Sequence, residues 1–408
     1  MFHFSSHLRR TALALPLLTT LAPSQITFAQ PPDAPSTIKA PANNPVRAFV
    51  PPPDPPLITP AQLQTLTGGP TLVSLSGRDL DLADVTKALL EAGGFAESPY
   101  RIQNEKQNVS VDWNQTPFWS AAADVERQTK MKWDGRFGEG VFLGRFSQGA
   151  GVGLDGQVGA QTPFVTLVAN SISRTMTRTV SLGEKAAPPV NSDRVQIQMG
   201  AYFDPKLSVQ SNTLRDLKFF KKGAQTPLIG RGNEMGAFYS GRASSISQLS
   251  VALPPEATPG TIFSIVSGVL HSVVVAATEP FRVLDLAATP KAEKTVGANQ
   301  YALQSATFDN DQVTVRVSAN IGEVAGQNRG YFFNNLFSTL RVRDAQGREL
   351  PRGGSSSSGG AKASGEFRFR LKNAQGEAII GPYSLDWPIV TELKSLDVPF
   401  ELRDVTVP

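Results

Sequence analysis

The chain has 408 residues, of which 40% are hydrophobic and 18% are charged, and it contains no cysteine. This length is enough for several domains, each with its own core. The formal net charge of +4 gives no reason to expect a nucleic-acid partner, and the lack of cysteine excludes disulfides, thiol nucleophiles and thiolate metal sites.

Residues 1–29 are typical of a secretory signal peptide. Arg9 and Arg10 precede a short apolar stretch, residues 11–22 (TALALPLLTTLA), and small residues stand before Gln30. The apolar stretch is too short to span a bilayer. We therefore expect an exported chain, periplasmic or extracellular, with no transmembrane segment in its mature form and no lipoprotein anchor. After cleavage, 37 basic and 35 acidic residues remain, and His271 is the only histidine.

Residues 30–60 follow as a proline-rich segment that includes PPPDPP. Eleven prolines fall between residues 31 and 60. Because proline fixes φ and lacks an amide donor, this composition predicts an extended, disordered linker rather than a domain.

A short internal repeat, at an offset of 36 residues, begins at Val73. Residues 73–95 align without a gap with residues 109–131. Each copy begins with the alternation of a strand and changes to helical spacing. Asp81 is expected to cap the first helix and Thr116 the second, with Pro117 at the first helical position. A hairpin through MKWDGRFGEGVFLGRF closes a predicted α/β module over residues 61–148.

This arrangement, over about residues 71–146, resembles the short N-terminal domain of secretins and TonB-dependent receptors. In those families two strand–helix units form a small periplasmic module that docks onto partner proteins and carries no catalytic residues. The resemblance implies a docking role here. Downstream, the sequence has neither a membrane barrel nor a secretin pore segment.

The stretch GVGLDG, residues 151–156, matches the G-x-G-x-x-G pattern of dinucleotide-binding turns. That pattern requires a following helix and an acidic residue about twenty positions later. Gly159, Pro163 and β-branched residues stand where the helix would begin, and residues 157–183 contain no Asp or Glu. We therefore expect no cofactor, and assign residues 149–162 to a flexible glycine-rich linker.

The remainder alternates apolar and polar residues as β-strands do, and it is also duplicated. Three segments recur in the same order at offsets of 118 to 119 residues: 195–201 as 313–319, 249–253 as 367–371, and 279–286 as 398–405. The repeat predicts two immunoglobulin-like β-sandwiches, residues 163–290 and 291–408. Within them, residues 262–277 are interpreted as two adjoining core strands, and GGSSSSGG, residues 353–360, as a flexible loop.

Few residue patterns suggest catalysis. His271 beside Ser272 lies in a strand-like run without a G-x-S-x-G turn, which favours a structural histidine. Asp285 and Asp404 occupy equivalent positions in the repeat, which favours a structural role over an active site. Asp309 and Asp311 flank Asn310 in FDNDQ, but further calcium ligands are missing, so a polar turn is favoured.

Aromatic clusters are the remaining binding candidates. Three tryptophans of the module could stack on a glycan, although indoles more often fill the core of a small domain. Two further clusters, LKFFKKG and YFFNNLF, fall in regions that connect strands, where they could bind a ligand or pack as edge strands. The candidate residues are Trp113, Trp119, Trp133, Phe219, Phe220, Tyr331 and Phe332.

The predicted fold class is therefore α+β and multidomain, with a small βαβ-repeat module followed by two immunoglobulin-like all-β sandwiches. This order is similar to that of a group of uncharacterised exported bacterial proteins. We expect a non-catalytic interaction protein of the cell envelope, without cofactor or metal, that binds an envelope protein or glycan. Two alternatives remain open at this point: a carboxylate-dependent glycan-active enzyme and a structural subunit of an envelope assembly.

Overall fold

The prediction of a chain formed mainly of antiparallel β-sheets with few helices is confirmed. The computed structural model describes residues 54–95, 107–136, 140–144, 153–180, 190–230, 245–309, 311–321, 336–337, 339–358, 362–372 and 378–408. The predicted signal peptide, most of the predicted linker, Tyr331 and Phe332 lie outside these residues.

The N-terminal part contains all three described helices and two small sheets. Its elements are α1 (Pro60–Thr67), β1 (Leu72–Asp81), α2 (Leu82–Ala92), β2 (Asn108–Pro117), α3 (Phe118–Thr129), β3 (Lys132–Arg136) and β4 (Gly140–Gly144). β1 pairs with β2 to form what we call the module sheet, and β3 pairs with β4 as a hairpin.

Local capping explains where these helices begin. Asp81 caps α2 as predicted, because its Oδ1 accepts from Ala83 N at 2.8 Å. The prediction for α3 was wrong by one position: Pro117 is its N-cap, without a side-chain bond, and Thr116 lies in β2. α1 was not predicted, although Thr59 and Gln62 form a capping box and Pro60 occupies the first turn.

The C-terminal part is built from three larger sheets. Its strands are β5 (Gln157–Gln161), β6 (Val165–Thr179), β7 (Val190–Phe203), β8 (Val209–Lys221), β9 (Leu228–Ile229), β10 (Ile246–Ala252), β11 (Ile262–Val283), β12 (Ala292–Val296), β13 (Asn299–Asp309), β14 (Gln312–Asn320), β15 (Arg341–Arg343), β16 (Arg352–Ser358), β17 (Lys362–Arg370) and β18 (Ser384–Thr406). The first outer sheet has the order β10-β7-β6-β5, the second outer sheet β12-β13-β14-β17-β16, and the shared sheet β15-β18-β11-β8-β9.

The shared sheet carries two hydrophobic cores on one pair of strands. β11 and β18 pair from Ile262 with Thr406 to Val283 with Leu385, a length of about 70 Å at ~3.3 Å per residue. The first core joins the first outer sheet to Phe263 and Leu270 of β11 and to the 398–407 segment. The second core joins the second outer sheet to the other ends of the same strands, including Phe281 and Trp387.

The two copies of the sequence repeat occupy equivalent positions in the two outer sheets, but their last segments have exchanged cores. β7 and β14 are equivalent central strands, and β10 and β17 lie beside them. In contrast, Phe281 of the repeated 279–286 segment packs in the second core, whereas Phe400 of the 398–405 segment packs in the first. The two predicted domains are interlocked rather than sequential, because residues 398–407 complete the core that begins at residue 165.

Three local predictions require correction. The apolar run of residues 262–277 lies within the single strand β11, because the shared sheet continues from one core to the other without a turn. Residues 353–358 of the predicted flexible loop lie in β16, whose backbone pairs with β17. Residues 157–161 of the predicted glycine-rich linker form β5, and Leu154 just before them is buried.

The predicted linker also ends earlier than expected. Ile58 N donates to Ser395 O at 2.7 Å, and Ser395 N donates to Pro56 O at 2.9 Å. Asp54 forms an ion pair with Arg215. Residues 54–58 are therefore held along β18 by backbone bonds that do not depend on side-chain type.

Candidate functional site

The three tryptophans of the module are core residues. Trp113, Trp119 and Trp133 are all buried and belong to one hydrophobic cluster. Each indole N–H donates to an internal acceptor: Asp124 Oδ2 at 3.1 Å, Phe203 O at 2.6 Å and Ala122 O at 2.9 Å, respectively. None of these rings offers a face to a ligand.

The phenylalanine candidates are not gathered with the tryptophans. Phe219 of β8 is buried in the first core, with its ring centroid 5.5 Å from that of Phe263. Phe220 is half-buried on the opposite side of the strand. The structure thus places the three tryptophans in one core and Phe219 in another, and Phe220 in neither.

The module is anchored to the first outer sheet by buried polar contacts that the sequence did not reveal. Asp204, only 1% exposed, accepts from Thr71 N at 2.6 Å and from Thr71 Oγ1 at 2.9 Å. Tyr202 packs on Trp119 with ring centroids 5.1 Å apart. Because 133 residues separate Thr71 from Asp204, no local pattern could have linked them.

This anchoring leaves the far side of the module sheet uncovered. Ser76, Asp79, Ser110, Asp112 and Asn114 are all exposed there, while the other side packs on α2 and α3. Within the described ranges, neither β1 nor β2 pairs with a further strand. At the outer edge of β2, Ser110 N donates to Gln128 Oε1 at 3.0 Å and Ser110 O accepts from Gln128 Nε2 at 2.9 Å, so a side chain of α3 occupies part of this edge.

A second exposed element projects from the first outer sheet. β6 and β7 continue to pair from Thr175 with Arg194 to Thr179 with Val190, whereas β5 ends opposite Ala169 and β10 opposite Gln196. We call residues 175–179 and 190–194 the arm. Met176 on the arm is 75% exposed, so among the described residues the arm is a two-stranded ribbon without a covering layer.

The arm is basic. Arg174 at its base pairs with Asp193, with Nε 2.9 Å from Oδ1, and this contact lowers the pKa of Asp193. Arg178 and Arg194 are exposed, and neither forms an ion pair with another residue that the structure describes. Because Arg178 lies opposite Asn191 and Arg194 opposite Thr175, the two guanidinium groups point to opposite faces of the ribbon.

A buried carboxyl group lies where the module meets the loop before β5. Glu126 of α3 is 2% exposed, and its Oε1 accepts from Leu154 N at 2.8 Å. Burial raises the pKa of Glu126 from 4.5 to about 7, and the neighbouring Asp155 contributes in the same direction. Lys132 Nζ lies 3.1 Å from Asp155 Oδ1. The residues Gly153, Leu154 and Asp155 of GVGLDG thus contact a proton-binding carboxyl group rather than a dinucleotide.

Chemically, Glu126 with its raised pKa beside a second carboxyl group, that of Asp155, is the kind of pair that the glycan-active alternative requires. However, the Cβ of any larger residue at position 153 would lie 2.3 Å from Glu126 Oε1. The loop therefore closes directly over the carboxyl group. A sugar ring has no approach to Glu126 in this arrangement, so the pair does not favour that alternative.

His271 ties the shared sheet to residues 54–58. Its Nδ1 lies 2.6 Å from Asp397 Oδ1, and its Nε2 lies 3.7 Å from Asp54 Oδ1. Arg215 donates to the same Asp54 carboxylate, and this hydrogen bond lowers the pKa of Asp54. Ser272 Oγ is buried without a hydrogen-bond partner. The histidine is thus not hydrogen-bonded to this serine, as nucleophilic catalysis would require.

The other polar candidates lie in turns or strands. Asp285 Oδ1 accepts from Ala287 N at 2.9 Å and so closes the turn after β11, whereas Asp404 lies within β18. Asp311 pairs with Lys372 at 2.6 Å. In the part of the chain that the structure describes, no cluster of three or more potential ligands could hold a metal ion.

An open groove of about 690 Å³ lies on the shared sheet, and it combines apolar and charged side chains from β8, β9, β11 and β18.

Among the described residues, no helix is both long and apolar enough to cross a bilayer. Comparison with protein-family models, curated proteins and solved structures gave no match.

Proposed function

We propose that this chain is an exported, non-catalytic interaction protein of the cell envelope, located in the periplasm or outside the cell. In this proposal the module, which resembles the short N-terminal domain of secretins and TonB-dependent receptors, docks a partner. The interlocked, immunoglobulin-like β-structure holds the module in place and provides a second binding surface.

One observation carries the proposal: the module sheet is fixed on one side and uncovered on the other. Its inner side packs on a core that continues into the first outer sheet through Tyr202 and Ile246. On its outer side Ser76, Asp112 and Asn114 are exposed to solvent. A surface that is rigidly held before binding loses little conformational entropy when a partner is bound.

The test is photo-crosslinking in the producing cell, with the full chain. A photoreactive residue at Ser76 of the module sheet is expected to give a discrete adduct of higher mass. The same residue at Leu284, which is 80% exposed, serves as the matched control and is expected to give none. Asp112→Lys in the crosslinking chain is expected to weaken the Ser76 adduct.

Equal labelling from Ser76 and Leu284, or no adduct from Ser76, would contradict the proposal. Exported location is tested in the same cells by fractionation and by the mass of the mature N terminus. A chain retained in the cytoplasm with its first 29 residues intact would overturn that part.

A further inference from the structure

Residues 153–155 connect the module to the first outer sheet. Leu154 is buried in the hydrophobic core of the module, and its backbone N–H donates to Glu126 Oε1 of α3 at 2.8 Å. On the other side, the side-chain amide of Asn170 on β6 donates to Gly153 O. We call residues 153–155 the latch, because their contacts hold α3 of the module against β6 of the first outer sheet.

Three ionisable groups converge on the latch. A Cβ atom at position 153 would lie 2.3 Å from Glu126 Oε1 and 2.5 Å from both Asp155 Oδ1 and Lys132 Nζ. The three groups therefore surround one point beside the backbone of Gly153. Because any side chain there would collide with them, the latch closes over the Glu126 carboxyl group only with glycine at this position.

The closed latch favours a protonated Glu126 over an ionised one. Glu126 is 2% exposed, and its Oε2 has no hydrogen-bond partner among the described residues. A buried carboxylate that lacks hydrogen bonds is costly. The carboxyl group of Asp155 also hydrogen-bonds to Glu126, which two carboxyl groups can do only when one of them carries a proton. Lys132 acts in the opposite direction, but its ammonium group already pairs with Asp155 at 3.1 Å.

The other groups around this carboxyl group do not change the balance. The nearest charged residues on α3, Asp124 and Arg127, pair with each other at 3.0 Å. β6 contributes the uncharged Asn170 to the latch. Among the described residues, the charged groups that face the carboxyl group are therefore Asp155 and Lys132.

We propose that the latch is a pH-sensitive switch, which stays closed while the Glu126 carboxyl group is protonated and opens locally when that group is ionised. Opening brings the carboxylate to water and removes Leu154 from the core of the module. The module then loses one of its contacts with the first outer sheet. The inference goes beyond the docking role proposed above and does not depend on it, because it concerns contacts within one chain.

Hydrogen exchange of the full chain tests the switch at the bond that must break. Burial raises the pKa of Glu126 from 4.5 to about 7, so opening should become about tenfold more frequent per pH unit between these values and level off above them. After correction for the intrinsic rate, the Leu154 amide should exchange about tenfold faster at pH 8 than at pH 6. In Glu126→Gln, which cannot ionise, the corrected rate should not change.

A comparison with β11 separates local opening from global unfolding. The amides of residues 266–274 lie between two partner strands, so we expect them to exchange only through global unfolding. At pH 8 the corrected exchange rate of Leu154 should exceed theirs by at least about a hundredfold. Equal protection would overturn the inference, because the carboxyl group would then reach water only when the whole chain unfolds.

A second variant opens the latch without changing a charge. Because an added Cβ collides with Glu126, Gly153→Ala should make the Leu154 amide exchange at least about tenfold faster at pH 6 and remove its pH dependence. Gly354→Ala, where an added Cβ meets nothing within 4 Å, is the matched control and should change neither. The inference fails if the corrected exchange of Leu154 in the unmodified chain is independent of pH, or if Glu126→Gln keeps the same pH dependence.

Discussion

The β11–β18 pair and the arm are both long antiparallel ribbons, yet they differ in what covers them. β11 and β18 carry buried residues along most of their length, because an outer sheet packs on each end. The arm has the same backbone pairing, but all its described side chains are exposed. Strand pairing alone therefore does not bury the side chains of a ribbon; the covering layer does.

The largest effects should come from the covered ribbon. Trp387→Ala in the second core and Leu402→Ala in the first should each lower the free energy of unfolding by about 2–5 kcal/mol, because both side chains are fully buried. Since β18 belongs to both cores, both variants should still show one cooperative transition in urea. Leu284→Ala is the exposed control. Two separate transitions would contradict the interlocked arrangement.

The buried carboxyl group predicts a pH dependence of similar size. Because Glu126 has a pKa raised from 4.5 to about 7, the folded state binds its proton more tightly than the unfolded state. Stability should therefore fall as pH rises from about 4.5 to 7 and level off above, by up to about 3 kcal/mol. Urea unfolding of Glu126→Gln between pH 5 and 8 should lack this decrease.

Glu91→Gln, an exposed change on α2, should retain the pH dependence of the unmodified chain. The same slope in Glu126→Gln would show that Glu126 is not its source. Asp155 and Lys132 also face the carboxyl group, so Asp155→Asn should reduce the decrease without abolishing it.

The module anchor should give a smaller and more local effect. Asp204→Ala removes the acceptor for Thr71 N, Thr71 Oγ1 and Lys206 N, and we expect a loss of about 1–3 kcal/mol. Hydrogen exchange should accelerate first in α1 and β1. Uniform acceleration across both cores would mean that the module does not open separately.

The smallest effect is expected on the arm. Met176→Ala and Thr177→Ala should change the free energy of unfolding of the monomer by less than about 0.5 kcal/mol, because the side chains bury little surface. Measurement at low protein concentration and high salt excludes association. A loss above about 1 kcal/mol would show that the arm packs on the rest of the chain, and the contrast with β11–β18 would fail.

Individual residues show how far sequence reasoning reaches. Asp81 as a helix cap and Phe118 within a helix are predictable because capping and helical spacing are local. The duplicated strand segments can be matched to one another because a repeat preserves the alternation of apolar and polar residues. The sequence does not predict the contacts of Thr71 with Asp204 or of Glu126 with Leu154, because each contact joins segments that are distant in sequence or irregular. Residues 353–358 were predicted as a loop because serine and glycine favour loops, while an edge strand requires only backbone pairing.

The sequence by itself determined the two strand–helix units of the module and the recurrence of three strand segments in the β-repeat, because these follow from periodicity and capping. Only the tertiary structure decided that residues 279–286 and 398–405 exchange cores. Equivalent strands from a repeat make nearly the same contacts in either core, so the pattern of apolar residues does not distinguish them. The continuous β11–β18 pair, which runs through both cores, determines which of the two segments lies in which core.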